Sequence, residues 1–372
     1  YNPRLVLMTR DLVFWQDFAL NVSQKLIGFI VAAGIAIFYR SYWALILGSA
    51  ASQVVTLILS YAIRPYRPRL SMVHGRELLS FSVWLTLAQG VNTINWNLDK
   101  LVVGYVYGKA PLGIYTVGDN LAALPTREAT SPIAQTLFPG FSIISGDHER
   151  LRHAYARAQG LLCAVAFPIG IGFAAAAHLI VPLALGPQWL GVILVIQVLA
   201  VVIALQTLAA TLQPLAMALG ETRLLFKRDL INLIIRLPLM GIGMLLAGFP
   251  GILYGRAAAA AVGTLINMHM VRQLIGMTIY RQLSNNTRLF AAAFAMIAAM
   301  MAIEAALGVY DVNIWAMTVF TCVAGGLGFV ATAAGLWLVA GRPKGPESEI
   351  ASAVSWAIVR VLPLIPFSRS PR

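Results

Sequence analysis

The sequence predicts an all-α protein, a polytopic membrane bundle of about ten transmembrane helices. Three observations carry that prediction. Of 372 residues, 59% are apolar and only 11% are charged, against roughly 45–50% and about 25% in an ordinary soluble domain. The apolar total, about 219 residues, is material for roughly ten helices of the 20 or so residues needed to cross a bilayer core. The apolar residues run continuously rather than in the period-two alternation of a membrane barrel. This composition excludes a soluble enzyme, a disordered tail and a secreted disulfide scaffold.

The spans follow in order. The first covers 17–38 and carries Asp17, Asn21, Gln24 and Lys25 at helical spacing. The second, 42–63, follows a short turn. The third, 78–100, shows the clearest polar stripe, because Gln89, Asn92, Asn95 and Asp99 recur every three or four residues and share one face with Trp96. The fourth, 111–143, combines Asp119, Asn120, Arg127 and Glu128 with Pro125, Pro132 and Pro139. Those prolines lie seven residues apart, so they share a face and favour a bend. The fifth and sixth, 155–184 and 189–218, are joined by the short turn GPQW. The seventh and eighth, 223–247 and 250–271, are joined by GFPG. The ninth and tenth cover 288–307 and 313–340, and a polar tail with a short apolar stretch at 350–366 ends the chain. Cys163 and Cys322 sit inside apolar runs and read as buried thiols. The opening YNPRLVLMTR lacks the pattern of a signal peptide, so the chain is expected to start partway through a longer protein.

The net charge of +13 is a matter of topology. Taking loops alternately, one side holds 20 of the 27 basic residues and the other only Arg40, Lys100 and Lys109. That asymmetry supports ten spans and places both ends of the chain in the cytoplasm. No nucleic-acid partner is implied; the expected surroundings are membrane lipids. The non-cytoplasmic loops are too short to carry an extracytoplasmic catalytic domain.

The two halves are faintly similar. FWQD at 14–17 and FKRD at 226–229 each open a span, and Gly48-Ser49-Ala50-Ala51 answers Gly255-Arg256-Ala257-Ala258 one span later. Spans one and two then correspond to spans seven and eight. The repeat unit is six helices, and four helices are expected before Tyr1.

Charge at membrane depth is costly unless paired or hydrated, so each case is a candidate site. Arg236 lies near the midplane of the seventh span and is the best candidate for an anionic ligand, since a guanidinium donates two parallel hydrogen bonds to phosphate. The alternative is a structural ion pair. Lys25, Arg127 and Arg256 are further candidate cations, although Arg256, like Glu304 and the Asp99–Lys100 pair, reads equally as interfacial. Gln89, Asn92 and Asn95 are candidates for contacting a polar substrate. Asp99, Asp119 and Glu128, with Pro125 and Pro132, are candidates for ion coupling or gating. There is no phosphate-binding glycine loop, no metal-ligand spacing among the five histidines and no Gly-x-Ser-x-Gly. No catalytic residue, metal or cofactor is expected.

The stretch LDKLVVGYVYGKAPLGIYTVGDNLAALP, followed by SPIAQTLFPGFS, resembles the central region of Wzx-type polysaccharide flippases. The matching residues are Asp99, Gly104, Gly113, Tyr115, Leu124, Pro125, Leu137, Phe138 and Pro139. LALGPQWLGVILVIQVLAVV, RDLVFWQDFAL and RPYRPRLSM are also similar to family segments, and the resemblance covers roughly residues 10–340. It implies membership of the multidrug/oligosaccharidyl-lipid/polysaccharide superfamily, with two six-helix lobes around a central cavity and two further C-terminal helices. By that scheme residues 1–76 are the last two helices of the N-terminal lobe with a basic loop. Residues 77–272 are the C-terminal lobe, 273–340 the two additional helices and 341–372 a cytoplasmic tail. The implied function is flipping of a lipid-linked oligosaccharide, usually on undecaprenyl diphosphate, across the bacterial inner membrane by alternating access, beside polysaccharide assembly proteins. Two other readings remain open: a cation-coupled multidrug antiporter of the same fold, and a membrane glycan polymerase or ligase.

Overall fold

A computed structural model describes residues 14–39, 43–63, 75–308 and 313–341. The N-terminal segment, the basic loop at 64–74 and the tail after 341, including the apolar stretch at 350–366, lie outside the described residues. The chain divides into two compact units, Tyr1–Leu78 and Leu79–Arg372.

The first unit holds helices α1 (Phe14–Tyr39) and α2 (Trp43–Ile63), which pack against each other as a hairpin. Small residues make the approach possible. A Cβ on Gly48 would lie 2.6 Å from the Ala32 Cβ and 2.9 Å from the Gly28 carbonyl oxygen. Where lipid competes equally for apolar side chains, such close backbone approach is a main source of helix association.

The second unit begins with α3 (Gly75–Tyr107, its first residues belonging to the first unit) and α4 (Lys109–Ile143), separated by Gly108 at φ 83°. The three prolines of α4 lie inside one continuous helix. Helix α5 (His148–Leu185) starts at Asp147, whose carboxylate accepts hydrogen bonds from the backbone N–H groups of Glu149 and Arg150. Donation from Arg150, then Glu149, holds the Asp147 carboxyl below its ordinary pKa. The sixth span is interrupted: α6 (Val192–Gln206) passes through a 3₁₀ turn, Thr207–Ala209, into α7 (Leu212–Ala218). Helix α8 (Thr222–Ile275) is two arms broken at Ala247 and Gly248. Gly248 has φ 63°, a conformation that only glycine adopts at no steric cost. The short α9 (Ile279–Ser284), α10 (Thr287–Leu307) and α11 (Ile314–Val339) complete the fold.

Ten spanning segments are therefore present among the described residues, at the positions the sequence indicates. Six helical segments are long and apolar enough to cross a membrane, one of them the interrupted α6–α7 segment Val192–Ala218 and another α8, whose 54 residues supply both arms. Helices α2, α3 and α4 fall outside that set. For α3 and α4 the reason is the polar groups along their length.

The second-unit core runs through α5 and α6, with Phe167, Leu199 and Ile196 fully buried. The α10–α11 pair packs against α5. Cys163 is buried as expected, but Cys322 is exposed. Helix α11 buries only the stripe Thr321, Gly325, Phe329 and Ala333, and Cys322 lies off it.

Both hairpins bring a glycine against the opposing helix. In the α8 hairpin a Cβ on Gly255 would lie 2.4 Å from the Leu239 carbonyl oxygen and 2.8 Å from the Met240 Cα. Met240 stands where the 212-residue offset between the two halves places the equivalent of Gly28. Gly48 and Gly255 thus both stand at close approaches, although the tightest contact of the α8 arms is between Gly243 and Gly251.

Candidate functional site: a buried ionic cluster beside a polar cleft

The Tyr107 and Phe249 rings stack edge to face with centroids 6.0 Å apart, so the α3–α4 turn and the α8 break lie at one end of the bundle. At a rise of about 1.5 Å per residue, Asp99, Asp119, Arg236 and Arg256 all sit about 12–17 Å in from that end. Half of a roughly 30 Å core is about 15 Å. Four helical segments therefore deliver two carboxylates and two guanidiniums to mid-depth.

There they meet. The Arg236 guanidinium donates to Asp99 Oδ2. Arg256 Nη1 lies 3.0 Å from the same oxygen and 2.9 Å from Asp119 Oδ1. Tyr115 donates to Asp99 Oδ2 at 2.6 Å and accepts from Arg256 at 2.5 Å. Lys100 closes the cluster, 3.4 Å from Asp119 Oδ2. Three cations face two carboxylates, leaving one excess positive charge. Asp99 is 1% exposed, yet its Oδ1 and the Arg236 Nε have no hydrogen-bond partner among the described residues.

The cluster forms one end of a cleft of about 320 Å³ between α3, the α6–α7 break and both arms of α8. Asn95 ties the walls together, its Nδ2 donating to the Asp229 carbonyl oxygen at 2.9 Å. The break in the sixth span turns Gln206 and Gln213 into the cleft. Its own carbonyls are served from behind, where Gln159 donates to the Leu208 oxygen at 2.6 Å.

The structure brings together Arg236, Arg256, Asn92, Asn95, Asp99 and Asp119 of the candidate residues. Asp99, Lys100 and Arg256, which the sequence also allowed at an interface, belong to the mid-depth cluster. Other candidates stand apart from the cleft. Gln89 is exposed on α3, one turn before Asn92. Arg127 and Glu128 are exposed and, among the described residues, pair with each other at 3.6 Å. Pro125 and Pro132 lie on α4 away from the cleft lining. Lys25 is an exposed residue of the first unit. Residues that sequence reasoning missed include Tyr115 as an ionic partner and the wall residues Gln206, Gln213, Asn232 and Asn267. One signal was present: Arg228, Asn232 and Arg236 recur every four residues, a polar stripe like that of α3.

The family profile described as "Polysaccharide biosynthesis protein" matches residues 1–194. The chain belongs to this family. Among relatives of this family member is the lipopolysaccharide biosynthesis protein WzxC of Escherichia coli (strain K12), 30% identical over 281 residues, or 74% of this chain and 57% of that protein. The teichuronic acid biosynthesis protein TuaB of Bacillus subtilis (strain 168) is 25% identical over 225 residues, 60% of this chain and 46% of its own length. The chain thus spans about half the length of these curated relatives. The solved structure titled lipid II flippase MurJ, inward closed conformation, superposes with a TM-score of 0.69 over 91% of this chain and 70% of that one, at 14% identity. The fold is that of a multi-pass membrane transporter of the MurJ type.

Proposed function

We propose that the protein is a flippase that moves a lipid-linked oligosaccharide, carried on a polyprenyl diphosphate such as undecaprenyl diphosphate, across the bacterial inner membrane for polysaccharide export. The observation that carries this reading is the cluster of paired arginines at mid-depth, opening on a polar cleft. The names of its relatives support it: polysaccharide biosynthesis for WzxC and TuaB, lipid II flipping for MurJ.

The chemistry is an exchange of anions. Asp99 and Asp119 together pair with Arg236 and Arg256, which offsets the cost of holding two guanidiniums at depth. A diphosphate offers more acceptor oxygens than one carboxylate and forms bidentate pairs with arginine. Its arrival on Arg236 competes with Asp99 and loosens the bonds joining α3 to the α8 arms. That loosening couples substrate binding to rearrangement of the walls, as alternating access requires. The polyprenyl tail stays in the bilayer. With the basic loops cytoplasmic, the α3–α4 turn faces outward, and loading occurs from the opposite end.

The protein then performs transport rather than covalent chemistry, and the excess positive charge disfavours a cationic drug. The test is reconstitution of the whole protein in vesicles carrying a fluorescent undecaprenyl-diphosphate glycan. Accelerated transfer of the label between leaflets supports the reading. Efflux of ethidium without glycan transfer would replace it with an antiporter.

A further inference from the structure

The cleft is chemically divided along its length, and the division selects the substrate. Its ionic end holds Arg236 and Arg256. Away from it the wall turns to carboxamides: Asn92 and Asn95 on α3, Gln206 and Gln213 at the break of the sixth span, Asn232 and Asn267 on the arms of α8. On the second arm, Asn267 lies about 16 Å along the axis from Arg256, so the amide band continues well beyond the charges.

These amides line the cleft, and two details bear on how they are held there. The oxygens Asn95 Oδ1 and Asn267 Oδ1 are buried without a partner among the described residues, and Asn95 is itself 6% exposed. A Cβ on Gly263 would come within 2.9 Å of Asn232 Oδ1, so the space that holds the Asn232 carboxamide depends on that glycine. Trp96, half exposed, lines the same stretch and offers a ring face. The one charged pair there is self-neutralising, because Arg228 Nη2 lies 2.8 Å from Asp229 Oδ1.

We propose that this amide band is a subsite for an uncharged sugar bearing hydroxyl or acetamido groups, the residue attached directly to the lipid diphosphate. Carboxamides present donors and acceptors together, which matches hydroxyls and amides. An anionic sugar gains no unpaired cation here and is placed beside Asp229. The volume of about 320 Å³ is at the low end for ligand sites and suits one sugar with its phosphates rather than a whole repeat unit. This inference rests on the flippase reading for the diphosphate end.

The test is binding to the whole purified protein of three short-chain polyprenyl diphosphates: sugar-free, carrying N-acetylglucosamine, and carrying glucuronic acid. The N-acetylglucosamine probe is expected to bind about tenfold more tightly than the sugar-free one, and the glucuronic acid probe no more tightly than it. Asn232→Leu, and independently Gly263→Ala, should abolish that preference, and an unchanged elution profile and helical circular-dichroism spectrum show that the variants are folded. Arg236→Ala should weaken all three probes. Equal binding of the sugar-free and N-acetylglucosamine probes, preference for glucuronic acid, or equal weakening of every probe by Asn232→Leu would overturn the subsite alone. Failure of all three probes to bind the wild-type protein would overturn the diphosphate reading and the subsite with it.

Discussion

The α1–α2 hairpin and the α8 hairpin are built on one plan and carry different chemistry. Each crosses at a glycine that admits the opposing backbone, Gly48 in the first and Gly255 in the second. Around those crossings the side chains diverge. By the offsets that align the two halves, Arg236 stands where the first hairpin has Gln24, and Arg256 where it has Ser49. Ser49 is exposed and donates to a carbonyl of its own helix, whereas Arg256 is buried in the ionic cluster. Packing is thus common to both copies. The site lies where two polar positions of the first hairpin are matched by arginines in the second, and α3 and α4 supply the carboxylates.

Removing a carboxylate from the charged hairpin's partners should have the largest effect. Asp99→Ala leaves Arg236 without its acceptor and Arg256 with Asp119 and the Tyr115 hydroxyl. A loss of about 3–5 kcal/mol is expected for breaking a buried pair on one side, read as a lower thermal midpoint in detergent and little protein in the membrane. The shared plan is tested next. Gly255→Leu drives a side chain into the Leu239 carbonyl, a backbone atom that does not yield, and should cost about 3 kcal/mol. Gly48→Leu should also destabilise, but somewhat less, because the opposing carbonyl oxygen, that of Gly28, lies 2.9 Å from its Cβ position against 2.4 Å for Leu239 at Gly255. Equal tolerance of both substitutions would break the comparison.

A smaller effect separates site from support. Gln159→Leu leaves the Leu208 carbonyl unpaired behind the cleft wall and should cost about 1–3 kcal/mol, with transport per folded molecule nearly preserved. The smallest belongs to Arg127→Ala. That side chain is 69% exposed and, among the described residues, paired with its neighbour Glu128, and stability should change by less than about 1 kcal/mol.

Much of this was legible in the sequence for physical reasons. Hydrocarbon thickness fixes span length, and the side of the basic loops fixes their number, so the ten spans fall where composition puts them. The stripe from Asn92 to Asp99 and the depth of Arg236 stood out because such groups are costly in lipid. What was hidden depends on tertiary placement. A carboxamide in an apolar run, such as Gln206 or Asn267, looks the same whether it faces a cleft or bonds a neighbouring helix. The break at Thr207–Ala209 carries no proline or glycine of its own, and the buried Gln159 that satisfies it lies on another helix. Arg127 shows the converse. Its charge marked it from sequence, yet its side chain stays exposed and outside the cluster.

The central claim is that Arg236, released from Asp99, takes the diphosphate. Arg236→Gln tests it directly, because it gives the α8 hairpin the residue that the α1–α2 hairpin has at the matching position, while Asp99 keeps Arg256 and Tyr115. The measurement is glycan export in cells, with the variant matched to wild-type protein level. Loss of export is predicted, with the protein still folded. Export at the wild-type rate would contradict the account.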